Sequence, residues 1–346
     1  MSHRVRIQSS EHVFDVQDDE TVLAAALRAG FVLPYGCRTG ACGSCKGKLG
    51  EGTIDYGLHQ PETLTEEEKT QGFALFCAAR PLCDLVIEAR EVRLAGDIQV
   101  RKLPCRVHKI DKVAPDVAVL QLKLPANEHL HFLAGQYLDF ILKDGRRRSF
   151  SMATPPHFDE YLELHVRHIP GGMFTDHLFN EMKERAILRM EAPLGTFFLR
   201  EDSDKPIVFL AGGTGFAPIK AMIEHALYRK LDRRMLLYWG ARARRDLYLA
   251  EVPTRWQAEH PHFSFVPVLS EPTPDDQWSG RTGLVHQAVL DDFPDLSDWE
   301  VYACGAPIMC EVAHKAFVSQ RGLPEDEFYS DAFTYSADAL APSAVS

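Results

Sequence analysis

The rhythm of hydrophobic positions changes twice along the 346 residues, marking three units. Near the start, VRIQSSEHVFDVQ alternates apolar and polar side chains around a Ser-Ser-Glu-His turn, the pattern of two short strands. Asp18, Asp19 and Glu20 then open an alanine-rich stretch, ETVLAAALRAG, that reads as a helix with Gly30 as its stop. DLVIEAREV (84–92) reads as a closing strand, and AGDIQVRKLP, punctuated by Gly96 and Pro104, as a linker. Next come the short alternating runs CRVHKID, VAVLQLKL, QYLDFIL, LELHVRH and AILRMEA, which predict a small antiparallel barrel. After Asp204 the runs PIVFLA, MLLYWGA, FSFVPVL and EVYACGA are apolar almost throughout. Helical or loop material such as PIKAMIEHALYRK separates them, as in a parallel sheet covered on both faces. The expected fold class is a multidomain α+β and α/β chain: a small β-rich unit over 1–95, a linker over 96–103, a barrel over 104–202, an open parallel-sheet domain over 203–336 and a disordered tail over 337–346.

Charge and composition narrow the partners. A formal net charge of −11 argues against nucleic acid or an anionic membrane. No run approaches the length of a membrane span, and the polar start MSHRVRIQSSEH lacks a signal-peptide core, so the expected location is cytoplasmic. In that reducing compartment the eight cysteines read as metal ligands, catalytic thiols or small packing residues rather than disulfides.

Three of those cysteines stand in GCRTGACGSCKG (36–47), as Cys37-x4-Cys42-x2-Cys45, and Cys77 in FALFCAARP supplies a fourth thiolate. Gly36, Gly40 and Gly43 let the chain curl so that backbone N–H groups face the sulfurs. The spacing is that of a plant-type [2Fe–2S] cluster. Structural zinc could use the same four thiolates, but zinc sites usually present two Cys-x2-Cys hooks, and only one end has that spacing here. A redox dithiol would need Cys42-Gly-Ser-Cys45 to open a helix after a strand, which it does not. Residues 1–95 resemble a plant-type ferredoxin domain, a β-grasp fold, with Cys37, Cys42, Cys45 and Cys77 as metal ligands. Cys83 and Cys105 fall outside the pattern and read as packing residues.

In the barrel, Arg148-Ser149-Phe150-Ser151 resembles the Arg-x-Tyr-Ser signature of the ferredoxin–NAD(P)H reductase superfamily, with Phe in place of the usual Tyr. The resemblance implies that Arg148 holds the FAD pyrophosphate, Phe150 lies on the isoalloxazine, and Ser151 bonds near flavin N5 in a catalytic role. These roles suit a guanidinium fork, a flat ring and a hydroxyl. A second element, HIPGGMFTDHLF, places Gly171, Gly172, Met173 and Thr175 before a helix whose N-terminal N–H groups suit an anion. The string APLGTFFL matches the family's end of the barrel.

PIVFLAGGTGFAPIKAMI reads as strand, glycine turn, helix. Gly212, Gly213, Thr214 and Gly215 let a pyrophosphate approach the backbone, and Pro218 fits the first turn. Tyr302-Ala303-Cys304-Gly305-Ala306-Pro307 is similar to the family's Cys-Gly-Pro-Pro, with Ala306 in place of the first proline. The resemblance implies that Cys304, with Gly305, lies beside the nicotinamide and positions the hydride. A small buried residue is the alternative for Cys304, and Cys310 reads as structural. Arg242, Arg244 or Arg245 could meet a ribose 2′-phosphate or be a solvated face. Relatives with this segment mostly use NADH, so NADH is the expected donor and NADPH the alternative. Fifteen histidines invite a metal site, but EHLHFL (128–133) and HPH (260–262) lack supporting ligands. His165, His168 and His177 are expected to line or flank the barrel.

NADH delivers two electrons as a hydride, a [2Fe–2S] cluster accepts one, and a flavin can bridge the two. The expected order is NADH to FAD to [2Fe–2S] to an acceptor protein. Module order resembles the reductases of bacterial oxygenases and of deoxysugar dehydratases. Along nearly the whole chain, strings such as LPYGCRTGACGSCKGKL and KDGRRRSFSMA resemble the CDP-6-deoxy-Δ3,4-glucoseen reductases. The expected partner is therefore a CDP-deoxysugar dehydratase, with an oxygenase component as the second reading. A non-enzymatic interaction protein with a zinc-bearing head is the reading from another class.

Overall fold

The structure, a computed structural model, describes residues 2–90, 92 and 98–334; the tail expected over 337–346 and the first two positions of the 96–103 linker lie outside them. It divides into two compact units, one of residues 1–98 with 195–197, the other of 99–194 with 198–346.

In the first unit, β1 (His3–Ile7), β2 (Val13–Val16), α1 (Val22–Arg28), β3 (Lys46–Glu51), β4 (Ile54–Asp55), α2 (Glu66–Thr70), β5 (Phe73–Leu75), β6 (Arg80–Pro81) and β7 (Leu85–Glu88) follow in order. The main sheet runs β2-β1-β7-β3-β5, with β1 and β7 parallel and the other pairs antiparallel. Val22, Leu23, Ala25 and Ala26 of α1 join Val5, Ile7, Leu75, Phe76 and Ile87 in one core. The acidic run does not cap α1. Thr21 Oγ1 accepts the Ala24 N–H at 3.2 Å, because a short hydroxyl at the cap reaches the third amide of the helix. The longer Glu20 side chain instead accepts from Arg28 at 2.9 and 2.8 Å. Gly30, at φ +87°, ends the helix as the sequence suggests.

The second unit opens with β8 (Arg101–Ala114), β9 (Val117–Lys123), β10 (Tyr137–Ile141), β11 (Arg147–Ser151), β12 (Leu162–Arg167), α3 (Met173–Asn180) and β13 (Ile187–Leu194). Strand β8 begins at Arg101, inside the expected linker, because Leu103, Cys105 and Val107 alternate into the core. The sheet order β11-β10-β13-β8-β9-β12 is antiparallel throughout, and a Met152–Leu164 bridge joins its two edges into a barrel.

Next follow β14 (Ile207–Gly212), α4 (Phe216–Tyr228), β15 (Met235–Ala241), α5 (Glu251–Glu259), β16 (Phe263–Leu269), β17 (Arg281–Thr282), α6 (Val285–Asp292), β18 (Glu300–Gly305), α7 (Pro307–Arg321) and β19 (Phe328–Ala332). They form a parallel sheet of order β17-β16-β15-β14-β18-β19. Strand order reverses between β14 and β18, so their C-terminal ends, Gly212 and Gly305, open the crevice where such sheets bind ligands.

One buried ion pair anchors this domain. Arg233 donates to Glu300 at 2.8 Å, both residues being almost fully enclosed, and the Tyr302 hydroxyl donates to the same carboxylate at 2.9 Å. Replacing one partner strands the other charge in the interior. Glu300→Gln should lower stability by about 3 kcal/mol, read as a lowered urea midpoint at unchanged slope.

Candidate functional site

The cysteine loop folds around its own sulfurs. Cys37 N–H donates to Cys42 Sγ at 3.3 Å, and the Thr39 and Ala41 N–H groups donate to Cys37 Sγ at 3.4 Å. Gly40, at φ +73°, packs so closely on the Leu58–His59 backbone that a Cβ would lie 2.8 Å from the Leu58 oxygen. All four cysteines are free thiols and gather as two contacting pairs, Cys37 with Cys42 and Cys45 with Cys77. A thiol hydrogen bond from Cys42, reinforced by Thr39 and Ala41, brings the Cys37 thiol down to about 5 despite its burial. Cys42 is pushed up as the donor to Cys37, and Cys45 as the donor to Cys77, which is lowered. The backbone N–H groups aimed at the Cys37 and Cys42 sulfurs favour negative charge there. Two pairs of thiolates are the donor set of a binuclear cluster, two sulfurs per iron, and the residues fit a [2Fe–2S] group. Among the described residues, no group of three or more His, Cys, Asp or Glu side chains could hold a single metal ion. Outside the loop, Cys105 and Cys310 are buried, which pushes each thiol up to about 12, and Cys83 Sγ accepts the Thr53 N–H at 3.2 Å.

In the second unit, alternation along β11 puts Arg148 and Phe150 on one face and Ser149 and Ser151 on the other. The Phe150 ring lies 5.1 Å from Phe174 in the first turn of α3, so the two expected flavin elements are neighbours. Arg148 Nη1 donates to the Arg147 carbonyl at 2.7 Å. Ser149 is exposed and donates to Asp139 at 2.6 Å, where Arg147 also binds. Gly171, at φ +81°, is open on its Cβ side, but its N–H donates to Asp176 at 2.9 Å. The Thr175 hydroxyl donates to the Ile169 carbonyl at 2.9 Å and accepts the Ile169 N–H, so it builds the turn. Gly172 is the N-cap, and Met173 begins the helix. The donors left for an anion are the N–H groups of the first turn, which have no intrahelical partner. An arginine fork, an aromatic ring and a helix N-terminus side by side fit a flavin dinucleotide.

At the crevice, Gly212 closes β14, Gly213–Gly215 make a single 3-10 turn, and buried Thr214 sits inside it. Gly215 presses on the Cys304 carbonyl, Gly305 lies against Gly212, and the Trp239 indole donates to the Gly213 carbonyl at 3.0 Å. A turn this close to backbone on one side and leading into α4 on the other fits a pyrophosphate.

Two residues at this site escaped the sequence reading. Asp331 on β19 stands opposite Cys304 in register and accepts from the Ser151 hydroxyl at 3.3 Å. Arg167, ion-paired with Asp116, brings Nη2 within 3.2 Å of the Cβ position of Gly213. The signals were slight: an acid in the last strand, FYSDAF, and a charge closing LELHVR. Cys304 itself is fully enclosed; burial first, then the Asp331 charge, pushes its thiol well up, so it is neutral. The three expected histidines are engaged: His165 with Glu163 and Tyr248, His168 with Asp176, and His177 with Glu181.

Three family models match in the same order along the chain. They are a 2Fe-2S iron-sulfur cluster binding domain over 5–82, an oxidoreductase FAD-binding domain over 104–199, and an oxidoreductase NAD-binding domain over 209–315. The CDP-6-deoxy-L-threo-D-glycero-4-hexulose-3-dehydrase reductase of Yersinia pseudotuberculosis is 41% identical over 333 residues, 96% of this chain and 99% of that protein. The chain belongs to the iron–sulfur flavoprotein reductases. In this reductase family, the terephthalate 1,2-dioxygenase reductase component 1 of a Comamonas species is 35% identical, covering 97% of this chain and 98% of its own. The solved Amycolatopsis cytochrome P450 reductase matches with a TM-score of 0.78 at 35% identity, covering 96% and 99% of the two chains.

The protein is therefore an NAD(P)H-dependent oxidoreductase with FAD and a [2Fe–2S] cluster, built from a ferredoxin domain and a ferredoxin-reductase-like pair of domains. When bound, the cofactors convert a two-electron hydride donor into a source of single electrons. Among the described residues, no helix is long and apolar enough to cross a membrane.

Proposed function

We propose that this chain is an NADH-dependent reductase that delivers electrons, through the Cys37–Cys77 site, to a dehydratase acting on a CDP-deoxysugar in the cytoplasm. The observation that carries the reading is the match, over nearly the full length of both chains, to a reductase named for such a dehydrase. The domain limits that go with it are 1–95, a barrel that starts with β8 at Arg101 and runs to 202, and 203–336.

The site residues take roles that their surroundings support. Cys37, Cys42, Cys45 and Cys77 hold the cluster. Arg148, Phe150 and the Gly172–Met173 start of α3 hold FAD, with Ser149, Gly171 and Thr175 shaping the two elements from behind. Gly212, Gly213, Thr214, Gly215 and Gly305 receive the dinucleotide. Ser151, bonded to Asp331, holds a proton beside the flavin, and the neutral Cys304 thiol packs where the nicotinamide meets it. Arg148→Ala should leave the protein folded but lower FAD retention by about tenfold or more, checked as the flavin-to-protein ratio after dialysis.

NADH is favoured over NADPH by the arginine run. Arg244 is held by Asp276, its N–H donating to the carboxylate at 3.0 Å and its guanidinium to the main-chain carbonyl at 3.2 Å, and Arg242 lies 4.0 Å from Asp246. A ribose 2′-phosphate here would face the Asp246 and Asp276 carboxylates, which already accept from the Ala243, Arg244 and Thr273 N–H groups. The expected kcat/KM is at least about tenfold higher with NADH than with NADPH, a difference of roughly 1.4 kcal/mol.

The test of the acceptor is direct. Purified reductase, NADH and a CDP-6-deoxy-hexulose dehydratase should together turn over the nucleotide sugar, while an aromatic-ring oxygenase component should receive electrons at least about a hundredfold more slowly. The opposite ranking favours the second reading, an oxygenase reductase, to which the Comamonas relative points.

A further inference from the structure

Lys220 lies on α4, nine-tenths enclosed, five residues beyond the glycine turn. Its ammonium does not turn outward, as lysines usually do. It donates to the Ala153 carbonyl at 3.2 Å, two residues past Ser151, and approaches Glu163 of β12 at 3.3 Å. The remaining partner, Glu224 at 3.1 Å, is on its own helix. Glu163 also pairs with His165 at 3.1 Å, and His165 with the Tyr248 hydroxyl at 2.9 Å. The Tyr248 ring stands edge-on to Trp239, whose indole holds the Gly213 carbonyl at 3.0 Å. A chain of hydrogen bonds, ion pairs and one ring contact therefore ties the barrel, where Ser151 sits, to the Gly213 end of the turn, while Lys220 itself rides on α4, which the turn leads into.

We propose that Lys220 is a positioning residue for hydride delivery, fixing the glycine turn and α4 against the β11 strand end so that nicotinamide and flavin meet at reacting distance. The proposal rests on the reading that these two elements carry the dinucleotide and the flavin. Misplacement by about an ångström can slow a transfer step by about a hundredfold without loosening binding, since most binding contacts lie elsewhere. Burial alone would push the Lys220 ammonium down, but Glu224 and Glu163 more than offset it, so it stays charged. Glu163, despite burial, is held at about 2 by His165 and Lys220, so the helix-to-strand pair is ionised on both sides. Lys220 also borders a cavity of about 410 Å³ with Glu163, Glu224 and Arg255, so water can reach Glu163 when the ammonium is removed.

The experiment is anaerobic stopped-flow bleaching of the flavin by NADH in the holoenzyme. Lys220→Met should lower the limiting rate at least about tenfold, with the apparent NADH dissociation constant changed by less than about threefold. FAD content should not change, and Lys220→Arg should recover most of the rate. A limiting rate equal to wild type in Lys220→Met overturns the proposal. So does a loss that appears only in NADH affinity or FAD content. If Lys220→Met does not accumulate folded, Glu163→Gln and Glu224→Gln carry the test. Glu163→Gln, which breaks the link from helix to barrel, should slow bleaching while the intrahelical change leaves it near wild type, and equal rates overturn the idea. Wild-type protein that NADH fails to bleach would instead contradict the proposed function.

Discussion

Cys42→Ser should abolish NADH-driven reduction of cytochrome c, lowering it by at least about a hundredfold, while NADH-driven ferricyanide reduction stays within about twofold of wild type. Cys42 forms one of the two sulfur pairs and accepts the Cys37 N–H. A serine hydroxyl is a hard, weakly acidic donor in place of a soft thiolate, so one iron loses half its protein ligands. Ferricyanide can take electrons at the flavin, and the flavin elements belong to the other compact unit, which folds around its own core. The split between the two acceptors separates loss of the cluster from loss of the whole protein. Retained cytochrome c activity in a cluster-free variant would refute the order of carriers.

Gly215→Ala should be as damaging at the other end of the chain of carriers. A Cβ there would lie 2.0 Å from the Cys304 oxygen, 2.4 Å from its carbonyl carbon and 2.8 Å from the Gly305 nitrogen. All three are backbone atoms in a central strand, and none can swing aside as a side-chain end would. The turn must leave β18, which opens the crevice and destabilises the domain by roughly 3 kcal/mol or more. The expected result is soluble yield sharply reduced, or flavin bleaching by NADH slowed at least about a hundredfold in what remains. Gly171→Ala is the control. Its φ of +81° strains a side chain by about 1 kcal/mol, but its Cβ meets nothing within 4 Å, so activity should persist. Gly215 itself has φ −59°, where alanine is unstrained, so equal effects from the two substitutions would show that the close approach to Cys304 does not govern Gly215.

The difference between what the sequence revealed and what it concealed is one of range. The cysteine loop, the Arg148–Ser151 strand and the two glycine turns are local signals, each a few residues in which spacing itself carries the chemistry. Gly30 and the parallel-sheet runs were legible for the same reason. Asp331 was not, because it reaches Ser151 only through the pairing of β18 with β19, across 180 positions of sequence. Lys220 looks in the sequence like one more polar position on an amphipathic helix; only the barrel strands packed against α4 give it partners. Roles within the motifs also depended on partners. Ser149 and Thr175 are committed to Asp139 and Ile169, and Arg244 to Asp276, none of which is adjacent in sequence. At the start of α1 the acids were the legible feature, but the short Thr21 hydroxyl is the side chain that reaches the Ala24 N–H, while Glu20 pairs with Arg28.

The sequence of carriers is tested most directly by titrating the holoenzyme with NADH under anaerobic conditions, following flavin absorbance and the cluster's EPR signal together. The expected result is bleaching of the flavin with a reduced-cluster EPR signal that grows in the same titration, and in Cys42→Ser the bleaching alone. Flavin bleaching in the wild-type protein with a fully loaded cluster that stays EPR-silent at excess NADH would contradict the account.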